Sequence, residues 1–451
     1  MAFEALTHPL LSPFRPILAP IPVALAILAN PAPSNPSLHA THQIARDLEP
    51  EGQAAWPIYH NALVTHVDDL TDYDNAARQP RETSALFDYD RSLSYGEWND
   101  PRYDETKATL IELAPVFDAL SNAADAPRYG APIDLNPTEA DTAFDSAQIQ
   151  LKRLGYYNAL AMRNAAASDD WERLLDHARS GLALGEHLSR ASLALTTLVG
   201  WSVTSATLAE TRHALLDHDV PIETTRALTS LLDLDPLKSM RHAITIEQHA
   251  FTHQLESLHD PSGVLAIWAL RGINETGVPS PPPSTLAARL FNIVALRYPT
   301  YTETVRRNDV YTSRVLTTLS VLPDAPLARI ERPLEALDRF ETDDLALGII
   351  RPAQHLLAKP AMQLERDIRA TRLMLVLEAH LDEHGDSPDS LNSELFSAHH
   401  IDPITGEPFI YTPTTDASNA SCYTLRSTDS SFLGRDIDAV DYTAPRPPFP
   451  D

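Results

Sequence analysis

Between Arg190 and Glu210 the chain runs for nineteen residues without a charge, "ASLALTTLVGWSVTSATLA". A helix of that length spans about 30 Å, the thickness of a bilayer's apolar layer. The segment therefore belongs either in a membrane or in the middle of a helical body. Seven of its residues are Ser or Thr, and charges close it at both ends. A helix apolar on nearly all sides and rich in hydroxyls reads as the buried central helix of a bundle, with a membrane span as the alternative.

A buried central helix needs others around it, and the chain supplies them. "AAWPIYHNALVTHVDDL" places Trp56, Tyr59, Leu63, Val67 and Leu70 at helical spacing. "YDETKATLIELAPVFDALSNA" predicts one helix with Leu110, Leu113, Phe117 and Leu120 on a face. Between these two, residues 71–102 read as a long irregular loop, and "DAPRYGAPIDLNP" as an extended connector. Phe144, Ile149, Leu151, Leu154 and Tyr157 open a helix running to about Ala167. "SDDWERLLDHARSGLALGEHLSR" follows, with Asp169 and Glu172 as a capping pair. A last long helix is expected from about Pro360 to Glu383, carrying Leu373, Val376, Leu377 and Leu381. With only 14 Gly against 37 Pro, helices separated by Pro-capped loops suit this chain better than a sheet with tight Gly turns. Breaks are expected at Pro299, Pro323, Pro326, Pro333 and Pro352, and "VPSPPPS" at Val278–Ser284 reads as a stiff linker.

After Gly385 the texture changes. "PFIYTP" and "CYTLRS" are short β-rich runs that predict an antiparallel hairpin across "TTDASNAS". Within "DPITGEPFIY", Asp402-Pro403 starts a turn, Gly406 supplies a φ > 0 position, and Phe409 and Tyr411 share a strand face opposite Ile410. The fold class is thus mainly α, a multi-helix bundle or irregular α-solenoid over residues 45–350. A long helix plus a small β-hairpin module follows over 360–440, and a Pro-rich tail over 441–451.

At the other end, Arg15 precedes the uncharged run "PILAPIPVALAILA" and a Pro/Ser/Asn tract follows it. Residues 1–36 therefore read as a signal-like or anchor segment with a flexible linker, which places the protein in the cell envelope or periplasm. A cytoplasmic protein with an N-terminal arm is the alternative.

The net charge of −27 repels phosphate backbones, so nucleic-acid binding is not expected. The densest basic spot is "VRRN" at Val305–Asn308. Only Lys107, Lys152, Lys238 and Lys359 are lysines, and the remaining cations are Arg. Cys422 is alone, which removes an intrachain disulfide and a Cys-based metal site.

Candidate chemistry is sparse. The best metal candidate lies in "RHAITIEQHAFTHQLESLHD", where His242, His249, His253, Glu256 and Asp260 fall in one helical stripe. His249 and His253 are four apart, a spacing that lets two imidazoles meet one zinc ion, and Glu256 is a third ligand one turn on. Ile244, Phe251, Leu255 and Leu258 occupy the opposite face, so the stripe should face solvent. The stretch lacks the HExxH arrangement that would add a general base. There is also no GxGxxG, Walker loop, GxSxG elbow or CxxC, and no catalytic or cofactor-binding residue is assigned. Paired carboxylates such as Asp68/Asp69, Asp169/Asp170 and Asp343/Asp344 read as solvated charges.

His384-Gly385, Pro388, Leu391, Asp402-Pro403, Gly406, Pro408 and Tyr411 together form a pattern that resembles the C-terminal part of type II secretion pseudopilins. The whole chain also resembles a group of uncharacterised bacterial envelope-associated helical proteins, through "QAAWPIY", the "LVG" helix and this tail. The resemblance implies an envelope location, and a calcium site near the C-terminus among Asp429, Asp436 and Asp438. It implies no reaction. The function expected is that of a non-enzymatic envelope protein whose helical body is an interaction scaffold for a protein partner. The alternatives are a metal-assisted hydrolase using His249 and His253, and an accessory component of type II secretion. A deep polar pocket with converging titratable groups would weigh against the scaffold reading.

Overall fold

The computed structural model describes residues 51–66, 98, 101–130, 137–190, 194–257, 259, 299–322, 325–338, 354–397, 399–415, 421–428, 430–432, 435–437 and 439–443. The signal-like segment, the Val278–Ser284 linker, Pro323, Pro352, and Asp429 and Asp438 of the calcium reading lie outside the described residues.

The described chain is mainly helical. The helices are α1 (Trp56–His66), α2 (Asp104–Glu112), α3 (Ala114–Ala123), α4 (Pro137–Ala167), α5 (Trp171–Ser189), α6 (Ala194–Asp217), α7 (Ile222–Leu231) and α8 (Pro236–Ser257). They continue with α9 (Tyr301–Leu319), α10 (Leu327–Asp338), α11 (Ala358–His384) and the short α12 (Glu394–Ser397). Two antiparallel hairpins close the fold: β1 (Ile410–Thr415) with β2 (Ser421–Arg426), and β3 (Ser430–Phe432) with β4 (Arg435–Ile437).

From Ala194 on, the uncharged segment forms α6, which sits centrally against α4, α5, α8 and α11. Trp201, Val203 and Leu208 are buried on it, and so are Thr196, Thr197, Thr204, Thr207 and Thr211. Thr204, Thr207 and Thr211 donate to the carbonyls of Gly200, Val203 and Thr207 at 3.0–3.2 Å, so burying them leaves no hydroxyl unpaired. Small residues let α5 come close. A Cβ on Gly200 would lie 2.4 Å from the Gly185 carbonyl oxygen. Among the described residues no helix is long and apolar enough to cross a membrane.

Two cores flank this centre. One gathers α1, α2, α3 and the stretch of α4 from Leu151 to Ala161 around Tyr59, Tyr103, Val116, Leu120 and Tyr129. The other runs from Met162 through α7, α8, α9, α10 and α11 to Phe409, Leu425 and Tyr442 of the tail. Helix α11 therefore serves the helical body and the β module at once.

Several local expectations are corrected. The helix predicted across Leu110–Leu120 is two helices, because Leu113 ends α2 and Pro115 occupies the first turn of α3, where its missing N–H costs nothing. The four predicted apolar residues are all buried, so the break leaves the face intact. The cap of α5 is Asp170, whose side chain accepts from the Arg173 N–H at 3.2 Å; it is not Asp169. Asp169 instead ends α4. With φ 54 it occupies the left-handed position, its N–H meets the Ala166 carbonyl, and the Asp170 N–H meets that of Ala165. Pro333 does not break the chain but lies inside α10. It sits on the exposed face, where the Arg329 carbonyl it leaves unpaired can turn to water.

The tail hairpin has the register Tyr411↔Leu425 and Pro413↔Tyr423. "DPITGEPFIY" is a docking device for it. The Ile404 N–H donates to Asp402 Oδ1 at 2.8 Å, and Gly406 takes φ 79. The carbonyls of Pro403 and Ile404 accept the first N–H groups of α10, from Leu327 and Ala328, at 3.1 and 3.2 Å. Phe409 is buried, Ile410 is exposed, and Tyr411 donates its hydroxyl to the Pro388 carbonyl at 2.7 Å. Ser430–Phe432 and Arg435–Ile437 form the second hairpin, with the backbone of Asp436 in β4 opposite Ser431.

Candidate functional site

The His stripe falls on α8 as far as Glu256, where Ala243, Ile244, Ile246 and Leu255 are buried and His249 is exposed, while Asp260 lies outside the described residues. The backbone of His253 and Glu256 continues the same helix, and their side chains lie outside the described residues. His242 departs from the expected solvent face. It is half-buried, and burial together with Arg190 lowers its pKa. A shallow cavity of about 390 Å³ lies beside this helix against α9, lined by Gln248, Asp309, Ser313, Leu316, Thr317 and Ser320 rather than by His249. Among the described residues no three His, Cys, Asp or Glu side chains gather in a metal-holding group.

A larger cleft, of about 780 Å³, opens where the end of α6, the α6–α7 connector, α7 and α11 meet. Its apolar floor includes Leu215, Val220, Ile222 and Leu381. Asp169, Asp217, Asp219 and Asp382 line it as exposed carboxylates, together with His218 and the half-buried Glu378. Each arrives by a local rule. Asp169 is the left-handed terminator of α4. Asp217 and His218 stand at the end of α6, and Pro221, with ψ 145, turns the chain into α7. Glu378 and Asp382 are one turn apart on α11. The His218 ring meets Trp171 edge-on, 6.5 Å between centroids.

Glu378 connects the cleft to the tail. Tyr423 Oη donates to Glu378 Oε1 at 2.8 Å, and burial raises the carboxyl's pKa against that hydrogen bond. Tyr442 makes the matching contact three turns away, donating to Asp367 Oδ1 at 3.0 Å. The cleft can hold a cation against its carboxylates and an apolar stem against its floor. No motif search finds it, because its lining comes from three separated stretches and each acid alone reads as a solvated charge.

Three further polar groups, His187, His177 and Glu247, are held by contacts within the fold. His187 accepts from the Tyr59 hydroxyl at Nδ1 and donates from Nε2 to the Ala126 carbonyl, each at 2.8 Å, which defines the neutral ring. Burial pulls its pKa down to about 4. His177 is likewise lowered to about 4, by burial and then by Arg173, while exchanging hydrogen bonds with Asn158. Glu247 accepts from the Ala194 N–H at 3.0 Å at the start of α6, and burial pushes its carboxyl up to about 7.

Comparison with protein-family models, with curated proteins and with solved structures finds no match.

Proposed function

We propose that this chain is a non-enzymatic interaction scaffold of the cell envelope, and that the cleft between α6, α7 and α11 receives a basic segment of a protein partner. The cleft carries the proposal: its aspartates stand exposed on an open rim rather than converging in a deep pocket, so they attract Lys or Arg, and its apolar floor accepts their methylene stems. The envelope assignment rests on residues 1–36 and on the pseudopilin-like pattern of the tail. A role as an accessory component of type II secretion rests on that pattern alone.

A labelled Lys/Arg-rich peptide titrated into the full chain tests the cleft. Binding should weaken as salt rises, and Asp219→Asn with Asp382→Asn should weaken it by about tenfold, the equivalent of roughly 1.4 kcal/mol. Equal binding to the double variant would overturn the assignment. Fractionation with N-terminal sequencing tests the compartment, and an intact Met1 in the cytoplasm would refute the envelope reading. The hydrolase alternative requires that His249→Ala/His253→Ala abolish a zinc-dependent hydrolytic activity.

A further inference from the structure

Among the carboxylates that line the cleft, Asp169, Asp217, Asp219 and Asp382 are exposed, whereas Glu378 is half-buried, one turn before Asp382 on α11. An ion pair made with Glu378 is therefore screened less by water and salt than one made with the aspartates. Its Oε1 accepts from the Tyr423 hydroxyl at 2.8 Å, which leaves Oε2 for a ligand. Tyr423 belongs to β2 and is buried in the core that the tail shares with α11. Two further contacts hold the hairpin there. Ser387, just beyond α11, donates to the Cys422 carbonyl at 2.8 Å, and the Tyr411 hydroxyl donates to the Pro388 carbonyl at 2.7 Å. Of the three, only the Tyr423 contact reaches a residue that lines the cleft.

We propose that Tyr423 is a positioning residue for the cleft: docked on α11, the C-terminal hairpin orients Glu378 as the most shielded anion of the cleft, so that binding a cation and holding the hairpin reinforce each other. The inference rests on the reading of the cleft as a site for a basic segment. Its sign follows from the carboxyl group. Burial disfavours the charged form of Glu378, and the hydrogen bond from Tyr423 favours it. A guanidinium in the cleft favours the charged form too. Each partner thus makes Glu378 a better partner for the other, and linkage requires the effect to be mutual. Burial, and then Glu378 itself, raises the Tyr423 phenol well above its ordinary range, so the hydroxyl stays a donor wherever Glu378 is ionised. The other titratable groups around Glu378 are Asp382 on its own helix, Asp217, His218 and Asp219 from the end of α6 and its connector, and Asp169 from the end of α4. Tyr411 stands beside Tyr423 on the hairpin, 6.1 Å between ring centroids. Comparing Tyr423→Phe with and without Glu378→Gln cancels their contribution.

An Arg-rich peptide, charged at every pH used, titrated into the full chain from about pH 5 to about pH 9 tests this. Tyr423→Phe should weaken binding roughly fivefold near neutral pH, the lower end of ordinary coupling between sites. It should also move the rise of affinity with pH upwards, and the loss should shrink at the alkaline end, where Glu378 is charged in both proteins. In a Glu378→Gln background the same substitution should alter neither the affinity nor its pH profile. Hydrogen exchange gives a second readout that needs no tail variant: the peptide should slow exchange in β1 and β2 of the wild type, and not in Glu378→Gln. Suppose the peptide binds the wild type and is weakened by Asp219→Asn/Asp382→Asn, yet Tyr423→Phe keeps the wild-type affinity and pH profile and the hairpin exchanges at an unchanged rate. The cleft reading then stands and the coupling is overturned. A peptide that does not bind the wild type overturns both.

Discussion

The guanidinium of Arg163 and the carboxylate of Glu210 meet fork to fork inside the protein, Nε to Oε2 at 3.0 Å and Nη2 to Oε1 at 2.5 Å. The pair ties α4 to α6, with side-chain exposures of 1% and 8%. Tyr103 accepts a further hydrogen bond from Arg163 Nη1 at 3.2 Å, and the guanidinium lies 5.9 Å from the Trp98 ring. Residues far apart in sequence are thus fastened at one buried point.

Removing one partner strands a charge. Glu210→Ala should cost about 3–5 kcal/mol in urea denaturation, while the apolar double replacement Arg163→Met/Glu210→Leu should recover most of that loss. A double variant no more stable than Glu210→Ala would show that the network around Arg163, rather than the isolated charge, sets the cost.

Close packing of α5 on α6 sets a second expectation. Gly200→Ala places a methyl against the Gly185 carbonyl and the Ser189 N–H, both backbone groups, at 2.4 and 2.5 Å. The helices must separate, at about 1–3 kcal/mol. Gly385→Ala meets nothing within 4 Å and pays only for φ 77, about 1 kcal/mol. Thermal melts of the two variants should rank in that order.

Two kinds of buried group give opposite pH dependences. Glu247 has a folded pKa near 7, above its ordinary 4.5. Its contribution is therefore fully present below the unfolded value and is lost as pH rises towards 7. Glu247→Gln should thus gain on the wild type between pH 5 and pH 8, by at most roughly 3 kcal/mol. His177 and His187, near 4 when folded against 6.5 ordinarily, act the other way. The unfolded chain takes up their protons first, so stability falls as pH drops from 6.5 towards 4. Urea midpoints measured across pH 4–8 check both signs.

The tail is held to α11 by tyrosine hydroxyls. Tyr423→Phe deprives Glu378 of its hydrogen bond at a mostly buried position and should cost about 1–3 kcal/mol. Hydrogen exchange should accelerate in β1 and β2 before it does in α6. Uniform acceleration across the chain would mean that the tail and the helical body open together.

How much of this was readable beforehand follows from physics that acts at short range. Helical periodicity in "SGLALGEHL", the uncharged run of α6, and the Pro and Gly turns of "DPITGEPFIY" specify elements locally, and those elements form. Local signals are ambiguous where neighbouring residues serve two elements. Leu113 joins two helices across Pro115, and Asp169 ends α4 while its neighbour Asp170 starts α5. Pro333 predicts a break that does not form, because exposure, a tertiary property, decides whether a lost backbone hydrogen bond is tolerated.

The sequence by itself determined that this chain is helical, carries a β-hairpin near its end and buries α6, since periodicity and turn chemistry require only near neighbours. Only the tertiary structure decided which polar groups lie together. Arg163 finds Glu210, Glu378 finds Tyr423, and Asp169 joins Asp219 and Asp382 around one cleft across separations that no local pattern encodes. Even the stacking of His380 on His384, at a spacing visible in the sequence, depends on which rotamers α12 leaves open.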